Sequence, residues 1–206
     1  VKDCAGGIAD AQVRSRGTIG GSVSAADPNC DWPALLNTLD AEIRCSGPEG
    51  DRTIAIGDFI TEAYTTALQP GELVTSVRFR TPPAGSGGAY IAYKKAAAAF
   101  PVISVGVQMT VAPGNVCQDV RIALGGSGPT PRRAEQAEAE LCGKALNSQV
   151  WQHAADAVAA IAEPTDDVRG SSEFKRQLLR GLFLKAGDTA TRRSANAIIE
   201  GSHVYA

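Results

Sequence analysis

Between Arg14 and Pro33 the chain reads Arg-Ser-Arg-Gly-Thr-Ile-Gly-Gly-Ser-Val-Ser-Ala-Ala-Asp-Pro-Asn-Cys-Asp-Trp-Pro. Gly17, Gly20 and Gly21 let a backbone come close to a ligand and aim its N–H groups at it, the usual physical basis for holding pyrophosphate. Thr18 and Ser22 add hydroxyls, and Arg16 adds positive charge. Asp27 and Asp31 can accept hydrogen bonds from sugar-type hydroxyls. Together these groups suit a nucleotide cofactor with a phosphate and a polyol. No Gly-Lys-Ser/Thr follows, so the segment is not a Walker loop, and its spacing fits a dinucleotide fingerprint poorly. On composition alone, a tight turn between elements is the better account of such a cluster.

The other reactive side chains point to no site. His153 and His203 have no Cys or Ser nucleophile spaced to work with them, so both read as structural or surface residues, and no catalytic residue is expected. Glu163, Asp166 and Asp167 read as a loop and the acidic start of a helix. The 5 cysteines are odd in number and widely spaced, which argues against a disulfide framework and against a metal or iron–sulfur site made by this chain alone. A reducing cytoplasm fits that usage best. A net charge of -2 gives no reason to expect nucleic acid or an anionic membrane as partner, and no apolar run is long enough to span a bilayer.

The elements that would carry these residues can be read from periodicity. Residues 1–10 look helical, and Pro33 suits the first turn of a short helix over 33–39. Residues 41–45 and 52–56 flank a turn and suggest a hairpin. Asp58 is placed to cap a helix through residue 67, and 72–80 alternates as a half-buried strand does. The Pro/Gly-rich run 82–88 is the best linker and marks a boundary between domains at 1–83 and 84–206. Beyond it, 89–95, 102–111 and 116–124 read as strands. Three helices are then expected: one from Thr130-Pro131 to Gly143, one from near 148 to 162 and one from 171 or 172 to about 191.

The string Gln12-Val13-Arg14-x-Arg16-Gly17-Thr18-Ile19-Gly20-Gly21-Ser22, with Ala26-Asp27-Pro28 and Asp31-x-Pro33 after it, closely resembles the second flavin-binding motif of the molybdenum hydroxylase flavoproteins. Weaker matches follow in order: Gly71-Glu72-Leu73-Val74, Tyr93-Lys94, and Asp167-x-Arg169-Gly170-Ser171 with Phe174-Lys175-Arg176. The resemblance runs from residue 1 to about 193 and is to the FAD-binding medium subunit of the xanthine dehydrogenase and aerobic carbon monoxide dehydrogenase type. It implies an α+β chain: the second half of a PCMH-type FAD-binding domain, then a C-terminal domain of a three-stranded antiparallel sheet with a three-helix bundle. It also implies that a first glycine-rich loop of the flavin site lies upstream of Val1, so that this chain is an N-terminally truncated piece expected to bind FAD weakly or not at all by itself.

By the same resemblance, Thr18, Gly20, Gly21 and Ser22 would line the FAD pyrophosphate and ribityl chain, within a set that includes Arg16, Gly17, Ile19 and Asp27. Asp31 would bind the ribityl hydroxyls. Leu73 and Val74 would lie by the isoalloxazine edge, Lys94 near the flavin or a partner, and Phe100 beside the ring face. Where the family has Asp-aromatic-Ala with an Arg shortly before it, this chain has Ala96-Ala97-Ala98-Ala99-Phe100-Pro101, which implies either a less polar flavin environment or a ring-face residue one place away from Phe100. The implied partners are a large molybdopterin-containing subunit and a small [2Fe–2S] subunit in a hetero-oligomer, with electrons passing from the clusters through FAD to an outside acceptor. Two alternatives stay open: a scaffold with a vestigial flavin half-site, and a stand-alone flavin reductase.

Overall fold

The computed structural model describes residues 1–96, 98–200 and 203–205. Four short helices open it: α1 (Lys2–Gly7), α2 (Ala11–Arg16), α3 (Ile19–Ala25) and α4 (Asp31–Asn37). The hairpin β1 (Glu42–Gly47) and β2 (Gly50–Ala55) leads through a single turn, α5 (Ile56–Phe59), into the ribbon β3 (Ile60–Glu62) and β4 (Thr65–Thr66), and then into β5 (Leu73–Arg78). Strand β1 lies between β2 and β5 in an antiparallel sheet that sets Ile43 opposite both Ile54 and Val77. Its inner face packs with α3, α4 and α5 into a small core of Val23, Leu36, Ile43, Cys45, Ile56 and Phe59.

The second half begins with β6 (Ser86–Lys94), β7 (Ile103–Ala112) and β8 (Val116–Gly125), an antiparallel meander turned at Gly114 and Asn115, both with positive φ. Strand β9 (Arg132–Arg133) extends one edge, before α6 (Glu135–Leu141), α7 (Ser148–Ile161) and α8 (Ser172–Ser194). Strand β10 (Val204–Tyr205) closes the other edge, parallel to β6. The expected three long antiparallel strands are therefore flanked by two-residue edge strands. Asn147 and Ser171 cap α7 and α8 through the amides of Val150 and Phe174. The alternate residues Ile103, Val105, Val107 and Met109 of β7 meet Leu141, Val158, Leu179 and Phe183 in one large core, as a period of two requires of a strand with one face covered by helices.

The opposite face of that sheet is covered by α4 of the first half. Gly106 and Gly125 make this approach possible: a Cβ at Gly106 would stand 2.8 Å from Thr38 Cγ2, and one at Gly125 would stand 3.1 Å from Ala34 Cβ. Ala34, Leu35, Tyr90 and Ala92 form a small core on this seam. Asp40 fastens its edge by accepting from Arg121 and, at 2.8 Å, from Arg133.

Three segments differ from the sequence expectation. The glycine cluster is the first turn of helix α3 rather than a loop. Residues 58–67 form one helical turn and a ribbon, because the β-branched run Ile60, Thr61, Thr65 and Thr66 favours strands. Helix α6 starts at Glu135, not at Thr130-Pro131, because Arg132 and Arg133 first pair with Leu124 and Ala123.

Candidate functional site

Helix α2 is capped by Asp10 and ends at Gly17, whose amide donates to Val13 O at 2.8 Å. Thr18 is then extended and caps α3, its Oγ1 accepting from Gly21 N at 2.8 Å. A Cβ at Gly21 would lie 2.9 Å from that hydroxyl, so glycine permits the tight cap. One at Gly20 would lie 3.7 Å from Val74 Cγ1, on the seam between α3 and β5. The first turn of any helix leaves amides without intrahelical acceptors, and here they belong to Ile19 and Gly20. Arg16 is exposed, Ile19 packs its side chain inward, and Ser22 hydrogen-bonds the Cys30 thiol, which burial pushes up.

Helix α3 ends at Ala26 in a left-handed conformation, φ 48°, and Ala26 O accepts at 2.8 Å from the amide of Tyr64, also left-handed at φ 59°. Two non-glycine residues with positive φ bonded to each other mark a locally strained corner. Asp27 sits beneath it, accepting from Asn29 N at 2.8 Å and from Tyr64 Oη at 3.4 Å. The carboxylate raises the Tyr64 phenol above its ordinary range.

Asp31, expected at the ribityl hydroxyls, and Lys94, expected near the flavin or a partner, meet inside the protein. Their side chains are 5% and 0% exposed and form an ion pair at 3.4 Å. Tyr90 Oη donates to the other Asp31 oxygen at 3.1 Å, and Lys94 also donates to Gly7 O at 2.7 Å. Burial raises the Asp31 carboxyl above the usual carboxylate range, against the pull of Lys94. Both residues are thus engaged inside the seam, joining α1, α4 and β6. His203 closes this region: its Nδ1 accepts from Ala92 N at 3.1 Å, which leaves Nε2–H to donate to Asp3 O at 3.0 Å.

Leu73 is 72% exposed, and Val74 beside it faces Gly20. Arg52 holds the preceding residue, Glu72, with two bonds of 2.7 and 2.8 Å, and Gln69 N donates to the same carboxylate at 2.6 Å. These bonds lower the Glu72 carboxyl to about 2. Phe100 is half-exposed on the loop after β6. That loop is tied down at both ends: Lys95 Nζ donates to Val168 O at 2.9 Å, and Asn29 Nδ2 donates to Pro101 O at 3.0 Å. Arg169 in turn donates to Asn29 Oδ1 at 2.8 Å.

The structure therefore brings residues 18–22 together with Val74, and places Asp27 at the far end of α3. It puts Phe100 on a loop anchored to the Asp27 corner, and withdraws Asp31 and Lys94 into the interior. Sequence reasoning missed Tyr64, Asn29 and Arg169. Arg169 stood in a recognised motif but read as the start of a helix, and nothing in the local sequence marks Tyr64. Two clefts, of about 540 and 460 Å³, lie along the junction of the halves, and none of residues 16–22 lines them. The groups gathered at α3 and β5 are amides, hydroxyls and apolar side chains. They are suited to holding a cofactor rather than to transferring protons.

Residues 1–82 match the family model described as FAD binding domain in molybdopterin dehydrogenase, and residues 88–190 match CO dehydrogenase flavoprotein C-terminal domain. The carbon monoxide dehydrogenase medium chain of Afipia carboxidovorans is 36% identical over 92% of this chain and 65% of its own length. The glyceraldehyde dehydrogenase medium chain of Sulfolobus acidocaldarius is 36% identical over 87% of this chain and 63% of its own. A solved carbon monoxide dehydrogenase from Hydrogenophaga pseudoflava superposes with a TM-score of 0.88 at 38% identity, covering 91% of this chain and 65% of that one. The chain spans just under two thirds of the length of these relatives. With one family model across its first 82 residues and the second across half its length, the chain belongs to the family of FAD-binding medium subunits of the molybdenum hydroxylases.

Proposed function

We propose that this chain is the flavoprotein component of a molybdenum hydroxylase. It would receive electrons from [2Fe–2S] clusters on a small partner subunit and pass them through FAD to an outside acceptor. A large partner subunit would carry the molybdopterin and act on the organic substrate. The observation that carries this reading is the seam between α3 and β5. The first-turn amides of Ile19 and Gly20 lie at its end, Gly20 keeps it open beside Val74, and Leu73, next to Val74 in β5, is exposed.

In this reading Arg16, Gly17, Thr18, Gly20, Gly21 and Ser22 hold the pyrophosphate side, with Ile19 anchoring the helix and Asp27 at its far end. Leu73, Val74 and Phe100 supply apolar contact for the ring. FAD, when bound, supplies the redox chemistry, and the protein's part is to orient and shield it. Asp31 and Lys94 act behind the site, fixing α4 to β6. The working division of the chain is 1–83 for the cofactor and 84–206 for its support and for subunit contacts. A cytoplasmic setting accords with five unbonded cysteines, and no helix among the described residues is long and apolar enough to cross a membrane.

A visible absorption titration of the purified chain with FAD tests the reading, with Gly20→Ala alongside. A Cβ at Gly20 meets Val74 at an ordinary contact distance, and alanine is the better helix former by up to about 1 kcal/mol, so this variant should fold at least as well. Weak FAD binding in wild type, read as shifted flavin bands at high FAD concentration, and affinity lowered about tenfold further in Gly20→Ala, is the expected pair of results. A wild-type chain that stays colourless at every FAD concentration would remove cofactor binding from this chain.

A further inference from the structure

Asn29 joins three loops through three hydrogen-bonding groups. Its amide N–H donates to Asp27 Oδ1 at 2.8 Å, at the corner that ends α3. Its Nδ2 donates to Pro101 O at 3.0 Å, on the loop carrying Phe100. Its Oδ1 accepts from Arg169 at 2.8 Å, on the loop before α8. The preceding carbonyl, Pro28 O, accepts from Gly126 N at 3.0 Å, fixing the same corner to the end of β8. These partners lie 72 and 140 residues away along the chain, so they are joined by the fold alone.

The chemistry requires a side chain at this position that both donates and accepts, as the Asn29 amide does. A carbonyl oxygen can only accept and a guanidinium can only donate, so the side chain between them must present one donor and one acceptor. Aspartate would meet Arg169 but could not donate to Pro101 O, and alanine would meet neither. Pro101 passes the constraint to its neighbour: a proline fixes its own φ, and the residue before it is confined to extended backbone. Phe100 is therefore held between that restriction and a carbonyl pinned by Asn29, while Lys95 pins the start of the loop to Val168 O.

We infer that Asn29 is a positioning residue that fixes Phe100 relative to the glycine helix, and so sets the fit of the flavin ring without touching it. The inference rests on the flavin reading above, and its test separates the two. Peptide-resolved hydrogen exchange on the chain, covering residues 95–101 and 166–171, would be compared in wild type, Asn29→Asp, Asn29→Ala and Arg169→Ala. Asn29→Asp should speed exchange in 95–101 alone, by about tenfold for one lost hydrogen bond, and Arg169→Ala should do so in 166–171 alone. Asn29→Ala should loosen both.

On the ligand side, FAD and ADP would be titrated into the same proteins, ADP being the part of the cofactor without the ring. Asn29→Asp should weaken FAD about tenfold while leaving ADP unchanged, because only the ring contact depends on Phe100. Equal losses for FAD and ADP, or loops that do not loosen selectively, would overturn the inference by making Asn29 a general structural residue. A wild type that binds neither ligand would bring down the flavin reading and the ring-fitting role with it, while the exchange pattern would still decide whether Asn29 joins the loops.

Discussion

The half of the molecule before residue 82 and the half after it use the same kinds of element on different terms. After it, strands of nine and ten residues lie under helices of up to 23, and one continuous core runs from Ala89 to Ala190. Before it, no helix exceeds seven residues and no strand exceeds six among the described residues, and the core is a small cluster beneath α3 and β1. Short helices are marginal without tertiary support. The first half obtains that support by laying α4 across the free face of the second half's sheet, at Gly106 and Gly125. The cofactor-type groups sit on the less self-sufficient half. Short elements expose many helix ends and turns, and these are the features a ligand can use.

The greatest loss should come from breaking the seam between the halves at its buried charges. Asp31→Asn leaves Lys94, whose side chain is fully buried, without a counter-charge. Removing one partner of such a pair costs about 3–5 kcal/mol, measured as a fall in urea-unfolding free energy. Asp31→Asn combined with Lys94→Met should recover most of that loss, because an apolar replacement of the whole pair is often neutral. A single substitution costing under about 1 kcal/mol would mean that the halves do not depend on the pair.

A smaller effect should follow from spoiling the close approach itself. In Gly106→Ala the added methyl would stand 2.8 Å from Thr38 Cγ2, so the Thr38 side chain or the end of α4 beside it must give way. Overpacking of this kind costs about 1–3 kcal/mol. If α4 props up the site, FAD affinity should fall along with the melting temperature. A loss of stability with FAD affinity intact would show that the first half holds its own shape.

The same contrast decides what could be read from the sequence. Long alternating strands and capped helices announce themselves: 89–95, 102–111 and 116–124 became β6, β7 and β8, and the expected starts of α7 and α8 coincide with side-chain caps at Asn147 and Ser171. The glycine motif was legible as chemistry but not as structure. Two glycines argue against a helix by propensity, yet the Thr18 cap and the burial of Val23 outweigh that cost in α3. The burial of Asp31 was illegible for a different reason. A carboxylate two residues before a proline carries no sign of whether it will meet solvent or a lysine 63 residues away. The pairing of Asn29 with Arg169 escaped notice because it exists only after folding.

The smallest effect, and the most local, concerns the strand entry beside Leu73. Glu72 has a folded-state carboxyl at about 2 because Arg52 and the Gln69 amide both favour its charged form. A depressed carboxyl contributes stability that is fully present above its unfolded value of 4.5 and is lost as pH falls from there toward about 2. Urea midpoints for wild type and Glu72→Gln should therefore differ at pH 6 and converge as the pH approaches 2. The variant keeps the shape of the side chain but cannot bring a charge to the Arg52 fork. A gap that stays constant across this range would assign the effect to packing rather than charge. If the gap closes while FAD affinity follows it down, the Arg52–Glu72 pair holds β5 in register for Leu73 and Val74 and so belongs to the site's support.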